Sequence, residues 1–353
     1  GKLPSTQGSS IALDENSHGK FYDPNIGSKI DLRKYIPKEL DYKIKLKDKI
    51  VRKELPNGAV ILAMQNSNFD IVSIKGTLHS GPGFDVPGKT GLATLTVACL
   101  EYGTTSLNKE QIDLKKDLIS LRGEIDTGME TVTFNYSMIS SKYDEAMGLI
   151  SDFIINPSFP ENYFEQEKSN ILMYHMQMAQ DPEDVMEKTF NQLLYGAGHP
   201  YSRMKYGTIE DFQKLTVNDV KEFHKKNYGP EHLIIAVVGP QSPDELISVA
   251  EKYFAKWPKS GNLNEINFGD IEPLTAPREE HVSLPGRSQT YIRMGWPGIK
   301  IKDEDYYPLF MLNFILGGGS LSSRLGTEIR VKSGMAYSVY SYMHPRTFKG
   351  SLN

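Results

Sequence analysis

One order of elements occurs twice along this chain, and that repetition limits its possible folds more than any single motif does. A strand-like segment at 70–78 leads through a loop to a helical stretch at 91–102, then Gly103-Thr104-Thr105-Ser106-Leu107, a helical stretch at 108–122 and a strand. Later, a strand-like segment at 289–296 leads to a helical stretch at 303–316, then Gly317-Gly318-Gly319-Ser320-Leu321, a helical stretch at 322–331 and a strand at 336–343. Order of elements and turn chemistry, rather than residue identity, carry the inference of a duplicated domain. Strands and helices come in clusters joined by hairpin-compatible turns. This predicts an α+β fold, each copy a mostly antiparallel sheet flanked by helices, and argues against a doubly wound parallel sheet. The first copy continues to Trp257 while the chain extends only to Asn353 after Gly319, so the second copy reads as incomplete.

The predicted boundaries follow from local chemistry. Residues 1–45 are polar and turn-rich, an arm that adds little core. Residues 46–257 form the first α+β domain, 258–278 an aperiodic linker containing Pro and Gly, and 279–353 the second domain. Segments 51–55 and 59–64 flank Asn57-Gly58, a pair that tolerates the positive φ of tight hairpins. Val132, Phe134, Tyr136 and Met138 alternate with polar residues, as a half-buried strand should. Asn108 with Gln111, and Thr216 with Asp219, mark helix starts. Further helices are predicted at 142–155 and 160–180, and a strand at 233–238.

Charge and cysteine usage bound the partners. Forty Lys and Arg against 44 Asp and Glu give a formal charge of −4, and without a long basic run a nucleic-acid partner is not expected. No apolar stretch approaches the ~20 residues of a membrane span, and no signal-like segment opens the sequence. Cys99 is the single cysteine, which excludes an internal disulfide or a cysteine-built zinc cluster; a packed core thiol is expected. Gly1 in place of Met fits either a processed or a tag-derived start.

Gly88-Lys89-Thr90-Gly91-Leu92-Ala93 opens a helix that ends near Gly103-Thr104. Phe164-Glu165-Gln166-Glu167-Lys168, His199-Pro200-Tyr201 and Phe223-His224-Lys225-Lys226-Asn227-Tyr228 follow. In order and spacing these resemble the processing-peptidase branch of the pitrilysin/insulinase zinc metallopeptidases, over residues from about 50 to 353. The resemblance implies an inverted zinc motif, His-x-x-Glu-His, directly after Gly-Leu-Ala, with two His one helical turn apart as ligands and Glu as general base. Here those positions hold Thr94, Val97 and Ala98, and the family's third ligand, a Glu, falls at or beside Tyr174. None of the first three offers a nitrogen ligand, and Val97 and Ala98 offer no base. No cofactor is therefore expected in this chain; zinc is expected in a partner. His175 could join another His in a relocated metal site, but no two of the eight His lie at i, i+3 or i, i+4, and a satisfied, partly buried helix residue is the expectation.

The family's second domain contributes an Arg/Tyr pair that donates hydrogen bonds to the substrate backbone and to the oxygen gaining charge. Arg330 and Tyr337 match that pair, and a guanidinium and a phenol are suitably preorganised donors. The plainer alternative is a surface Arg at a helix C-terminus and an aromatic packed in a strand. Gly317, Gly318 and Gly319 permit close backbone approach, by substrate or by a neighbouring helix. In paired members one chain gives zinc and base, the other the Arg/Tyr pair. The resemblance thus implies a non-catalytic subunit, inactive alone, of a heterodimeric zinc metallopeptidase. It would act with a zinc-bearing homologous subunit on peptide or unfolded polypeptide substrates. A bacterial periplasm or envelope is the expected location, the cytoplasm or an organelle the alternative. A peptidase-derived scaffold or binding protein is the rival function. An independent hydrolase finds no nucleophile motif such as Gly-x-Ser-x-Gly.

Overall fold

A computed structural model describes residues 46–196, 198–261, 268–269, 271 and 274–353. The predicted arm at 1–45 lies outside the described residues. The chain divides after Asp48, and Lys49–Asn353 form one unit that holds the sheet, its helices and the candidate site.

The sheet begins with the predicted hairpin, β1 (Val51–Glu54) and β2 (Val60–Gln65), closed by Gly58 at φ +97°. β3 (Ile71–Leu78) buries Val72, Ile74, Gly76 and Leu78 and turns its other residues outward. Helix α1 (Leu92–Cys99) follows, then α2 (Lys109–Leu118), whose Asn108 and Gln111 form the predicted capping box. β4 (Arg122–Thr127) and β5 (Val132–Ile139) make a second hairpin, and β5 buries Val132, Phe134, Tyr136 and Met138 as its alternation predicts. Helices α3 (Tyr143–Ile155), α4 (Glu161–Met178), α5 (Pro182–Tyr195), the one-turn α6 (Ile209–Phe212) and α7 (Val217–Asn227) precede β6 (Ile234–Gly239) and α8 (Pro243–Phe254).

The six strands lie in the order β1-β2-β6-β3-β5-β4, antiparallel except for β2 against β6. The fold class is the predicted one, α+β with a mostly antiparallel sheet. Tight hairpins join β1 to β2 and β4 to β5, whereas β6 arrives from a helical excursion and inserts between β2 and β3, which sequence-adjacent pairing could not foretell. The inward faces of β2, β3, β5 and β6 form one core with α1, α3, α4, α7 and α8. Gly76 faces this core because a Cβ there would lie 1.9 Å from Phe134 Cζ; the absent side chain is the space the ring fills.

α5 is a further element that the sequence pattern did not lead us to expect. It opens on Asp181, whose carboxylate accepts from Glu183 N at 2.9 Å, with Pro182 at the first helical position, both ordinary start signals. Of the segment 258–278, Phe268 and Ile271 pack with Phe190, Leu194, Tyr195 and Tyr201 in a second apolar cluster.

Beyond 279 the helix–glycine–helix order recurs in looser form. α9 (Tyr306–Asn313) unwinds into a π turn at Phe314–Gly318, and a second π turn spans Gly326–Lys332. The strands expected at 289–296 and 336–343 appear only as β7 (Trp296–Pro297) and β8 (Met343–His344), paired through β9 (Ser351–Leu352). Alternating sequence becomes strand only where a partner accepts its backbone hydrogen bonds, and here pairing reaches those few residues. Among the described residues no helix is long and apolar enough to cross a membrane.

Candidate functional site

α1 carries the positions where a zinc motif would stand, and its N-terminus is fixed by main-chain geometry. Gly91, the N-cap, has φ +90°, and a Cβ there would meet Tyr206 O at 2.3 Å. Gly91 N and Ala93 N both donate to the buried carboxylate of Asp85, at 2.7 and 2.8 Å. Burial drives the Asp85 pKa up to about 7 despite those two bonds and the nearby Arg203. Thr90 is held by Asp211, its hydroxyl donating at 2.7 Å.

The donor set here does not fit zinc. Thr94 is buried and its hydroxyl donates to Lys205 O, so its one oxygen is committed to the main chain of the 203–208 loop. Val97 is buried and packed in the core, and Ala98 is half-buried against it. Tyr174 is 43% exposed and meets Tyr206 edge-on, ring centroids 5.2 Å apart. His175 turns inward, where Nε2–H donates to Tyr206 O at 2.8 Å; burial lowers its pKa and keeps it neutral. Cys99 is buried, and desolvation pushes its thiol up to about 12. Among the described residues no three His, Cys, Asp or Glu side chains are grouped so as to hold a metal. No chemical step is assigned to zinc in this chain.

Arg330 and Tyr337 are brought together. Arg330 lies in the π turn Gly326–Lys332; Gly334, at φ +62°, reverses the chain, and Met335 N donates to Ile329 O at 3.1 Å. The turn sets the Arg330 guanidinium over the Tyr337 ring, 4.8 Å from its centroid. Arg330 is half-buried and Tyr337 is 85% exposed. A guanidinium stacked on an aromatic face is oriented while its N–H edge stays free to donate. Of the three glycines, Gly317 backs onto the chain, a Cβ there falling 2.3 Å from Ser341 N. Gly318 and Gly319 face Asn313 and Phe314.

Sequence reasoning missed Asp85, Lys205 and Gly334. Asp85 precedes the helix start by six residues, outside any capping pattern, and Lys205 acts through its carbonyl, which no side-chain motif reports. Gly334 carried a signal, a glycine just past a helical stretch.

Residues 214–351 match a family profile described as Peptidase M16 inactive domain. The chain is 26% identical over 296 residues to "Uncharacterized zinc protease YmxG" of Bacillus subtilis, covering 83% of this chain and 70% of that protein. It is 28% identical over 266 residues to "Non-peptidase homolog YmxG" of Helicobacter pylori, covering 74% of this chain but 60% of the relative's length. Among solved structures, a peptidase M16 inactive domain from Pseudomonas fluorescens superposes with a TM-score of 0.76 at 24% identity, covering 86% of this chain and 73% of that one. The periplasmic protease PqqL from Escherichia coli superposes at 0.63 and 14% identity, covering 86% and 35%. These two share the fold. Residues 214–351 thus resemble the domain described as Peptidase M16 inactive, and over most of its length the chain is similar to proteins named zinc protease or non-peptidase homologue, in line with the resemblance its motifs carry.

Proposed function

We propose that this chain is the non-catalytic subunit of a two-chain zinc metallopeptidase and that Arg330 and Tyr337 act in trans at the partner's site. The observation carrying the reading is the oriented, accessible Arg330–Tyr337 pair in a chain whose Thr94, Val97, Ala98 and Tyr174 form no metal site. The partner's zinc would supply Lewis-acid chemistry. The guanidinium and phenol of this chain would hold the peptide backbone and the oxygen that gains charge. Among the described residues β4 is an edge strand with one side unpaired, which suits backbone pairing with an extended peptide of varied sequence. Apolar side chains left exposed beyond 279, among them Ile292, Met294, Tyr307 and Met335, suit a face covered by a homologous subunit. The division into domains at 46–257 and 279–353 belongs to this reading, as does a periplasmic or envelope location.

A scaffold with no proteolytic role is the second reading, since stacking on Tyr337 would also order Arg330 without a substrate. The two separate on reconstitution with a His-x-x-Glu-His homologue from the same genome. Tyr337→Phe and Arg330→Ala should each lower kcat/KM by roughly ten- to thousandfold with complex formation intact. Rates within about threefold of the unsubstituted complex for both variants would establish the scaffold.

A further inference from the structure

Thr94 on α1 and His175 on α4 are buried polar side chains on different helices, and both donate to one short segment. Thr94 Oγ1 donates to Lys205 O, and His175 Nε2–H donates to Tyr206 O at 2.8 Å. The acceptors are thus the main-chain carbonyls of consecutive residues. Lys205 and Tyr206 are the central pair of a turn that Gly207 N closes on Met204 O at 2.9 Å, with Gly207 at φ +72°. The turn's own bond uses neither central carbonyl, so both are available to the helices.

The segment lies flush against both helices. A Cβ on Gly91 would fall 2.3 Å from Tyr206 O, and one on Gly207 would fall 2.3 Å from the Thr90 carbonyl carbon. Thr208 N donates to Thr90 Oγ1 at 3.0 Å. The Tyr206 ring meets the Tyr174 and His175 rings of α4 edge-on, centroids 5.2 and 5.8 Å apart. Lys205 Nζ also reaches Asp126 of β4 at 3.2 Å, but both side chains stand in solvent, which screens the pair. The hold therefore comes chiefly from the two buried bonds, because stripping a buried donor or acceptor of its partner costs more than an exposed ion pair contributes. Neither bond uses a side chain of residues 203–208.

We propose that residues 203–208 are a strap that cross-links α1 to α4 through the Lys205 and Tyr206 carbonyls and keeps the space between the helices closed, as a bridging metal ion would. The place where zinc ligands are missing is then shut, and its two helices are held without a metal. Neither Arg330 nor Tyr337 takes part, so the strap stands or falls independently of the trans-acting role.

Native-state hydrogen exchange of the full chain reads the strap at the Gly207 and Thr208 amides, whose acceptors are Met204 O and Thr90 Oγ1. Thr94→Val and His175→Leu each remove one donor and should speed that exchange about tenfold or more, while β5 amides stay within about threefold. His175→Gln keeps an N–H donor and should restore most of the protection. Lys205→Ala keeps the carbonyl and should change the rates by less than about threefold. Zinc added to the unsubstituted chain should leave them as they are. Rates at Gly207 and Thr208 within about threefold of the unsubstituted chain in both donor variants, or a rise shared equally by β5, overturn the proposal. So does a rise of about tenfold in Lys205→Ala, which would assign the hold to the ion pair, or slowing by zinc, which would show that a metal still enters. If one donor variant does not fold, the other decides together with Lys205→Ala.

Discussion

Replacing Asp85 by Asn tests how the N-terminus of α1 is held, because the substitution keeps the shape of the group while removing its charge. The Asp85 carboxyl is buried, and burial outweighs its bonds from Gly91 and Ala93, lifting its pKa from 3.8 to about 7. A raised folded-state value means the native protein binds the extra proton between those limits. The associated stability is present below pH 3.8 and lost as pH rises through about 7. About 1.4 kcal/mol per pH unit over roughly three units amounts to a loss on the order of 4 kcal/mol. The Asp85→Asn protein has no titrating group at this position, so the stability difference between the two proteins should slope across this window and flatten above it. Urea unfolding from pH 4.5 to 8 measures that difference. Slopes from groups common to both proteins cancel, including His224, whose burial lowers its pKa to about 4 and acts in the opposite sense. A difference constant with pH would refute the reasoning, because it would mean that the two backbone donors hold the carboxylate ionised at no net cost.

The positions Thr94, Val97 and Ala98 and the hairpin turn each carry an expected outcome of their own. The purified chain should bind no stoichiometric zinc and cleave no peptide alone, as metal analysis and a peptide assay would report; about one tight zinc per chain with chelator-sensitive activity would refute the assignment of Thr94, Val97 and Ala98. Asn57→Ala should cost about 1–3 kcal/mol in urea unfolding, because the Asn57 amide donates to Phe254 O and Trp257 O at 2.8 and 3.0 Å and its loss strands buried carbonyls; a change below about 0.5 kcal/mol would show that water replaces it.

Asn57 illustrates how local and tertiary information divide. The sequence alone determined that Asn57-Gly58 turns a hairpin, since a left-handed glycine between two strand-like runs is a local requirement, and Gly58 adopts φ +97°. That the Asn57 side chain also secures the end of α8, about 200 residues away, depends on a distant element's position and has no local signature. The same division holds elsewhere. Alternation in β5 and the starts of α2 and α7 were legible because periodicity and caps act over a few residues. That Thr94, Val97 and Ala98 carry no zinc-ligating side chain was legible because side-chain chemistry is read directly from residue type. Insertion of β6 beside β2 was not legible, because a strand's neighbour is chosen by backbone pairing across the chain. Nor were the burial of Asp85, the closure of Thr94 by the Lys205 carbonyl and the stacking of Arg330 on Tyr337, since main-chain acceptors and desolvation exist only once the chain has folded around them.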